Sequence, residues 1–286
     1  MIIALFPNES KSPALSIAKD ISHFLSGKQI SVASEDQHAS LLNAIPLSQL
    51  APEKIDFLIS LGGDGTILRL LHRHPELRAP LLGINLGSLG FLADIPLNDI
   101  YPSLEDLLEG RYTIQTRLTM EAKTLKGPSC FAVNEFVVHR AQNPCLIDLA
   151  IYVDDVYLNT FSADGMILST PSGSTAYSLA AGGPILTPNV NALVLTPICP
   201  HTISNRPLVL MPKSHIEIRY LSELEPVEFS YDGISSFSLE SNESFIAKPA
   251  TNSFKLVNLN RHNYFALLRE KLGWHGRIRH HPSLKQ

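Results

Sequence analysis

The chain has 286 residues, enough for about two domains, and 44% of them are hydrophobic, so sizeable cores are available. Its formal net charge of −4 gives no electrostatic support for non-specific binding to nucleic acid or to a membrane surface. No apolar run approaches the ~18 residues needed to span a bilayer. The opening Met1 to Phe6 lacks a basic start and stops at Pro7, so it reads as a first strand and not as a signal peptide. Cys130, Cys145 and Cys199 are odd in number and far apart, with no Cys-x-x-Cys. That argues against a disulfide framework or zinc site and for a reducing, cytoplasmic setting.

Residues 1 to about 110 alternate strand and helix. Ser12 is a good N-cap and Pro13 suits a first helical position. Ala14, Leu15, Ala18, Ile21 and Leu25 then share one helical face, which Gly27 ends. A short strand follows near 30–33. The segment 36–52 is ambiguous, interrupted by Pro46 and Pro52. The apolar run 55–61 leads into Gly62-Gly63-Asp64-Gly65-Thr66, and a helical pattern continues to about His74. Another buried strand, 81–84, leads into a second flexible turn, Asn85 to Phe91, and a helix at 97–109 ends at Gly110. Such alternation predicts a mostly parallel, Rossmann-like sheet with helices on its faces. Ligands bind beyond the carboxyl ends of its strands, where both glycine turns fall.

Near residue 111 the pattern changes to period two. Tyr112, Ile114, Thr116, Leu118, Met120 and Ala122 alternate with polar neighbours, as in a half-buried strand. Further strands are expected at 131–139, 146–153, 156–161, 166–169, 192–196, 207–211, 215–221, 226–231, 243–247 and 253–258. Asp154-Asp155 forms a hairpin turn, and only 174–182 reads as helix. This predicts an all-β, sandwich-like second domain. The pattern from Tyr264 to Leu272 is helical again, and it is expected to pack back on the first domain, because an isolated helix of that length is marginal.

The turn at 62–66 carries the first chemical signal. Three glycines let the backbone approach a ligand closely, and the helix opening there offers free N–H groups and roughly half a positive charge to an anion. An acid at position 64 suits no simple phosphate cradle, so Asp64 either does chemistry or faces a cation. Asn134-Glu135 interrupts an apolar run and needs polar partners if buried; an outward-facing pair on an edge strand is the plain alternative. Asp164-Gly165 precedes a long run of small and hydroxyl residues, Ser169 to Pro184, that offers donors and close approach. Within it Tyr177 could stack on a base or bond a ribose. Asp232-Gly233 reads as a plain turn, Arg69 as a surface residue within reach of phosphate, and His275, Arg277, Arg279, His280 and His281 as a solvated tail. Walker A, Gly-x-Gly-x-x-Gly, Gly-x-Ser-x-Gly and His-Glu-x-x-His motifs are absent.

Taken together, Gly62 to Thr66, Asn85 to Phe91, Asn134-Glu135, Asp164-Gly165, Ser169 to Gly183, His201 to Val209 and Lys271 to Trp274 resemble the NAD kinase family, ATP- or polyphosphate-dependent enzymes that make NADP. The glycine turn alone is also similar to that of diacylglycerol kinases and 6-phosphofructokinases. The resemblance implies an α/β domain at 1–110 carrying the turn, a β-sandwich NAD-binding domain at 111–258, and a C-terminal helix and tail at 259–286 returning to the first. It implies transfer of a γ-phosphoryl group to the 2′-hydroxyl of the adenosine ribose of NAD, with Asp64 as the catalytic proton acceptor. A carboxylate is too weak a base to deprotonate an alcohol in the ground state, but it can orient the hydroxyl and take the proton late. Gly65 and Thr66 would lie near phosphates, with Arg69 and Phe91 in the same binding set. Asn134, Glu135 and Asp164 look like the dinucleotide-binding polar groups. Thr175, Ala176, Tyr177, Ser178, Leu179 and Ala180 resemble the segment lining the NAD site, Tyr177 lying against a base.

A divalent cation, Mg²⁺ foremost, is implied by the family and by the anionic substrates meeting few lysines. The family also implies a homodimer or homotetramer. One departure stands out: Ser162 occupies a position where many members carry arginine, which bears on the choice between NAD and NADH. Competing readings are a lipid kinase sharing the turn, which the acidic balance opposes, and a non-catalytic dinucleotide sensor, which has no need of Asp64.

Overall fold

The computed structural model describes residues 1–124, 129–202, 205–212 and 215–274. The tail residues 275–281 singled out above, and Ile203 and Ser204, lie outside the described residues.

The first layer is a seven-stranded sheet in the order Ile45–Pro46, Ser31–Ser34, Ile2–Pro7, Phe57–Gly62, Leu81–Asn85, Phe254–Leu259, Tyr112–Arg117. All neighbours are parallel except the last pair. The strands Ile2–Pro7 and Phe57–Gly62 are almost wholly buried, as continuous apolar runs in a parallel sheet require. The helix Ala14–Gly27 buries Ala14, Ala18, Ile21 and Leu25 against them. It starts one residue later than Pro13 suggests, and no side chain caps it. The ambiguous 36–52 segment holds the short helix Asp36–Leu42 and the outermost strand. The helix near 97–109 is Ile100–Leu108 behind a single 3₁₀ turn.

The second layer pair is a sandwich of two six-stranded sheets. One contains Met120–Thr124, Ile147–Val153, Val156–Ala163, Ile216–Tyr220 and Ser244–Pro249; the other contains Glu135–His139, Gly165–Ser169, Leu193–Ile198 and Val227–Tyr231. Their inner faces share one core, in which Phe136, Phe229, Phe245 and Tyr220 are fully buried. The period-two run from 112 is not one strand. It divides at Leu118-Thr119, so Tyr112–Arg117 joins the first sheet and Met120–Thr124 the sandwich. The expected strand at 253–258 likewise lies in the first sheet, beside Tyr112–Arg117. Ser235–Leu239 is a strand missed in the sequence, where three serines mask an edge position paired to Val227–Tyr231. The helix expected at 174–182 shrinks to a 3₁₀ turn, Gly173–Thr175, and four residues, Tyr177–Ala180, because Ala176 leaves helical geometry.

The helix Tyr264–Leu272 is capped by the Asn263 side chain, which accepts from the N–H groups of Phe265 and Ala266. Its first residue reaches the first domain at Phe91, with ring centroids 6.2 Å apart. Just before it, Arg261 pairs with Asp99 at 2.8 Å and with Asp106, fixing the chain's return to the helix Ile100–Leu108.

Phe229 has ring neighbours at 4.3 Å (Phe245), 4.7 Å (Phe237) and 5.5 Å (Phe136). Truncating it to alanine is expected to cost about 3–5 kcal/mol. The check is a urea titration in which the midpoint falls while the m-value holds.

Candidate active site

The strands Ile2–Pro7 and Phe57–Gly62 are parallel neighbours, but the chain leaves them in opposite directions, toward Ser31–Ser34 and toward Leu81–Asn85. A crevice therefore opens between the loops that follow them. Asn8 bridges it. Its N–H donates to Leu61 O at 2.9 Å and its side-chain amide to Thr66 Oγ1 at 3.0 Å. Thr66 in turn accepts from Gly63 N–H at 3.3 Å, which sets the first turn of the helix Asp64–Arg73. The Lys11 ammonium lies 3.4 Å from Gly62 O, over the glycine turn. Sequence reasoning missed Lys11, whose only signal was its place in the loop after the first strand. Arg69 is exposed. With Thr66, Asn8, Glu9, Gln37 and His38 it lines a cleft of about 280 Å³ running from the turn across the ends of the strands.

Asp64 does not point freely into this crevice. Its carboxylate accepts from three successive backbone N–H groups, Phe91 to Oδ2 at 2.8 Å and Leu92 and Ala93 to Oδ1 at 3.0 and 2.8 Å. The second flexible turn is thus a cradle for the acid of the first. Asn85, buried at the end of its strand, shapes the cradle. Its side-chain amide donates to Ser88 O and Ala93 O, and its Oδ1 accepts from Gly87 N–H. Gly90 has no alternative, because a Cβ there would collide with the Asp64 carboxylate. Half-buried Asp94 lies close by. Burial pushes its carboxyl up to about 6 against the pull of His262 and Arg117, and the Asp64 charge adds to the rise.

A second cluster forms in the sandwich. Glu135 opens a central strand flanked by Gly165–Ser169 and Val227–Tyr231, so the edge-strand reading of Asn134-Glu135 does not hold. Glu135 is 7% exposed. It accepts a hydrogen bond from Tyr177 N–H, while its Oε2 is buried with no hydrogen-bond partner among the described residues. Burial and the nearby Asp232 charge push its carboxyl up to about 8. Gly173 packs so closely on the Asn134 carbonyl that a Cβ would collide with it, which explains part of the small-residue run. Asn134, Glu135, Gly173 and Tyr177 therefore come together. Tyr177 is 40% exposed and free to face a ligand, whereas Ser178 is buried and bonds Thr196 at 2.9 Å. Thr175 bonds Ser172 O, and Ala176, Leu179 and Ala180 are partly or fully open to solvent. Asp164 pairs with the Arg140 guanidinium, Nε to Oδ1 at 2.8 Å. Ser162 instead bonds the Asp148 carboxylate.

Asp232-Gly233 is more than a plain turn. The backbone does turn there, with φ of 50° and 61°. The Asp232 side chain, however, is buried and accepts from the N–H groups of Val133, Asn134 and Glu135 at 2.8, 2.7 and 3.1 Å. Phe91 and Tyr264 join the two clusters: Tyr264 packs on Phe91, and its hydroxyl lies 3.5 Å from Leu186 O in the sandwich.

Among the described residues, no three His, Cys, Asp or Glu side chains form a metal-holding group. Asp64 already accepts three hydrogen bonds. These residues fit an ion carried on phosphate oxygens, with Asp64 or Asp94 adding one carboxylate, and do not fit an all-protein cage.

Because the folded state holds the Glu135 proton up to about pH 8, it binds more protons than the unfolded chain above about pH 4.5. Stability is therefore expected to fall as pH rises through that window, with a slope of at most ~1.4 kcal/mol per pH unit. Urea midpoints measured from pH 5 to 8.5 should show Glu135→Gln flattening the decline.

Residues 3–112 match the family model described as ATP-NAD kinase N-terminal domain, and residues 133–259 that of the ATP-NAD kinase C-terminal domain. The chain is 68% identical over 278 residues to the NAD kinase of Protochlamydia amoebophila, covering 97% of this chain and 100% of that one. It is 36% identical to the NAD kinase of Geotalea daltonii, covering 95% and 98%. Two solved structures superpose on it. A yeast NADH kinase complexed with NADH has a TM-score of 0.82 at 27% identity, covering 98% of this chain and 89% of that one. An NAD kinase from Archaeoglobus fulgidus in complex with ATP has a TM-score of 0.74 at 26% identity, covering 96% and 100%. With both domains matched and relatives aligned over nearly its whole length, the chain belongs to the NAD kinase family.

Proposed function

We propose that this kinase transfers the γ-phosphoryl of ATP to the 2′-hydroxyl of the adenosine ribose of NAD, giving NADP, with Asp64 as the proton acceptor. The observation that carries the role of Asp64 is its three-point capture beside an anion-binding helix start. A carboxylate held this way keeps one lone-pair direction for a substrate hydroxyl and pays no reorganisation when the proton moves. In a loose phosphoryl-transfer transition state, placement and charge stabilisation do most of the work. Gly65 and Thr66 face the donor phosphates at the helix start, with Lys11 and Arg69 as the nearby cations. Mg²⁺ brought with the donor supplies neutralisation of phosphate charge. Glu135, neutral below about pH 8 and with an unpartnered oxygen, suits a ribose hydroxyl or an amide of the dinucleotide. Asn134, Asp164 and the open part of 175–180 line the same site, with Tyr177 as the stacking face for a base and Phe91 between the two substrates.

The family relatives leave the lipid-kinase and sensor readings without support. Polyphosphate as an alternative donor, and NADH as an alternative acceptor given Ser162, belong to this proposal and are separated by a donor and acceptor panel. A homodimer or homotetramer is favoured by exposed apolar side chains on two sheet-edge strands, Val156, Tyr157 and Leu158 on one and Leu208 and Val209 on the other. A cytoplasmic setting is consistent with three free cysteines, two of them exposed. No described helix is long and apolar enough to cross a membrane.

Purified protein incubated with NAD, ATP and Mg²⁺ is expected to form NADP; folded protein that forms none overturns the proposal. Asp64→Asn is expected to keep NAD affinity within about tenfold while turnover falls ~10²–10⁴-fold. Wild-type turnover in that variant would show the aspartate misassigned. Lys11→Ala is expected to raise KM for ATP about tenfold, the loss of one charge-assisted phosphate contact, and to leave KM for NAD unchanged.

A further inference from the structure

The helix Asp64–Arg73 begins at the acid of the glycine turn and ends against the sandwich. Its residue His72 lies eight positions after Asp64, about 12 Å along the helix axis. The imidazole sits between two rings of the second domain, Phe131 at 4.8 Å and Tyr231 at 5.6 Å, the latter stacked at 29°. Its Nε2 lies 2.7 Å from Asp232 Oδ2. The Asp232 side chain has no exposed surface, and His72 is 13% exposed. The same carboxylate grips the backbone N–H groups of Val133, Asn134 and Glu135. One rigid helix and one buried carboxylate therefore connect Asp64 to the backbone from which Asn134 and Glu135 project.

We propose that His72 is a positioning residue for phosphoryl transfer: its hydrogen bond to Asp232 sets the placement of the Asn134-Glu135 backbone relative to Asp64. The inference rests on the NAD-phosphorylation reading and adds to it a residue that touches neither substrate. Each half of the site is built by its own domain, so losing the link leaves each substrate its contacts. What the link controls is how the bound ribose and the donor meet, and an error of about 1 Å in such an alignment can cost ~10²-fold in rate. A role confined to domain packing makes a different forecast, since filling the same space with an apolar side chain then suffices.

Glutamine and methionine at position 72 are close in volume and helix propensity and differ in whether the head can donate. The experiment measures kcat, KM for ATP and the dissociation constant for NAD on wild type, His72→Gln and His72→Met, each with thermal unfolding. Wild-type NADP formation decides the reaction itself, and the variant-to-wild-type ratios decide the role of His72. His72→Met is expected to lose about 10–100-fold in kcat, with KM for ATP and NAD affinity within about threefold. His72→Gln is expected to recover most of that loss. If methionine prevents folding, His72→Phe keeps a ring between Phe131 and Tyr231 without the donor, and the same loss is expected. Equal kcat in the donor and donor-less variants overturns the proposal, as does a turnover loss matched by an equal loss of NAD affinity.

Discussion

Everything around the glycine turn depends on one carboxylate, Asp64, being held by three consecutive backbone N–H groups. A side chain at a helix start would otherwise sample several rotamers and bend back to cap its own helix. Here the donors come from the segment after the next strand, so Asp64 is captured by the loop of its neighbour. The capture dictates other choices. Residue 90 is glycine because any Cβ would occupy the place of the carboxylate. Asn85 is buried because its amide must hold Ser88 and Ala93 in the curve that aims the donors. The pairing of Gly62 with Asn85 brings the two strand ends level, which puts the loops in reach of each other.

The sandwich solves a different problem, which is keeping polar groups buried but ready. Asp232 is satisfied from every side, and beside it Glu135 stays protonated well above the ordinary carboxylate range. Two carboxylates this close in a protein interior cannot both ionise cheaply. The structure resolves the conflict by giving the donors to Asp232, which leaves Glu135 neutral and with an oxygen uncommitted. Glu135 is therefore kept short of partners by its own fold, a condition that a hydroxyl- and amide-rich ligand relieves.

Much of this was legible in the sequence, for identifiable reasons. The parallel sheet announced itself through apolar runs of strand length separated by helical periodicity, and the glycine turns marked the loops at the carboxyl ends of its strands. Asn134-Glu135 stood out because polar residues interrupted an apolar strand. What stayed hidden were partnerships distant along the chain. Lys11 has no local pattern, and only the pairing of Ile2–Pro7 with Phe57–Gly62 brings it over the turn. Asp232 followed by glycine has the composition of any hairpin, so its grip on 133–135 could not be read locally. Period-two alternation continued through Leu118 and Thr119 and gave no sign that the strand changes sheets. The run 174–182 read as helix, whereas Gly173 and Gly183 on either side of it are small for close contact with Asn134 and Thr196.

The strand Phe254–Leu259 lies inside the first sheet, between Leu81–Asn85 and Tyr112–Arg117. During synthesis the chain must therefore release the whole sandwich before that sheet can close. Until then only the Leu81 end of the strand Leu81–Asn85 is an open edge, because Ile95 already bonds Gly83 and Asn85 along the rest; an open stretch of that kind can recruit other strands. Completion of the first sheet is consequently ordered after synthesis of the sandwich strands. Nearly 140 residues separate the two antiparallel partners at the sheet's far side, so closure of this loop is a late and slow contact in folding. A nascent fragment ending before residue 254 would carry an intact glycine turn on an unfinished scaffold, and active enzyme emerges only when the tail has returned.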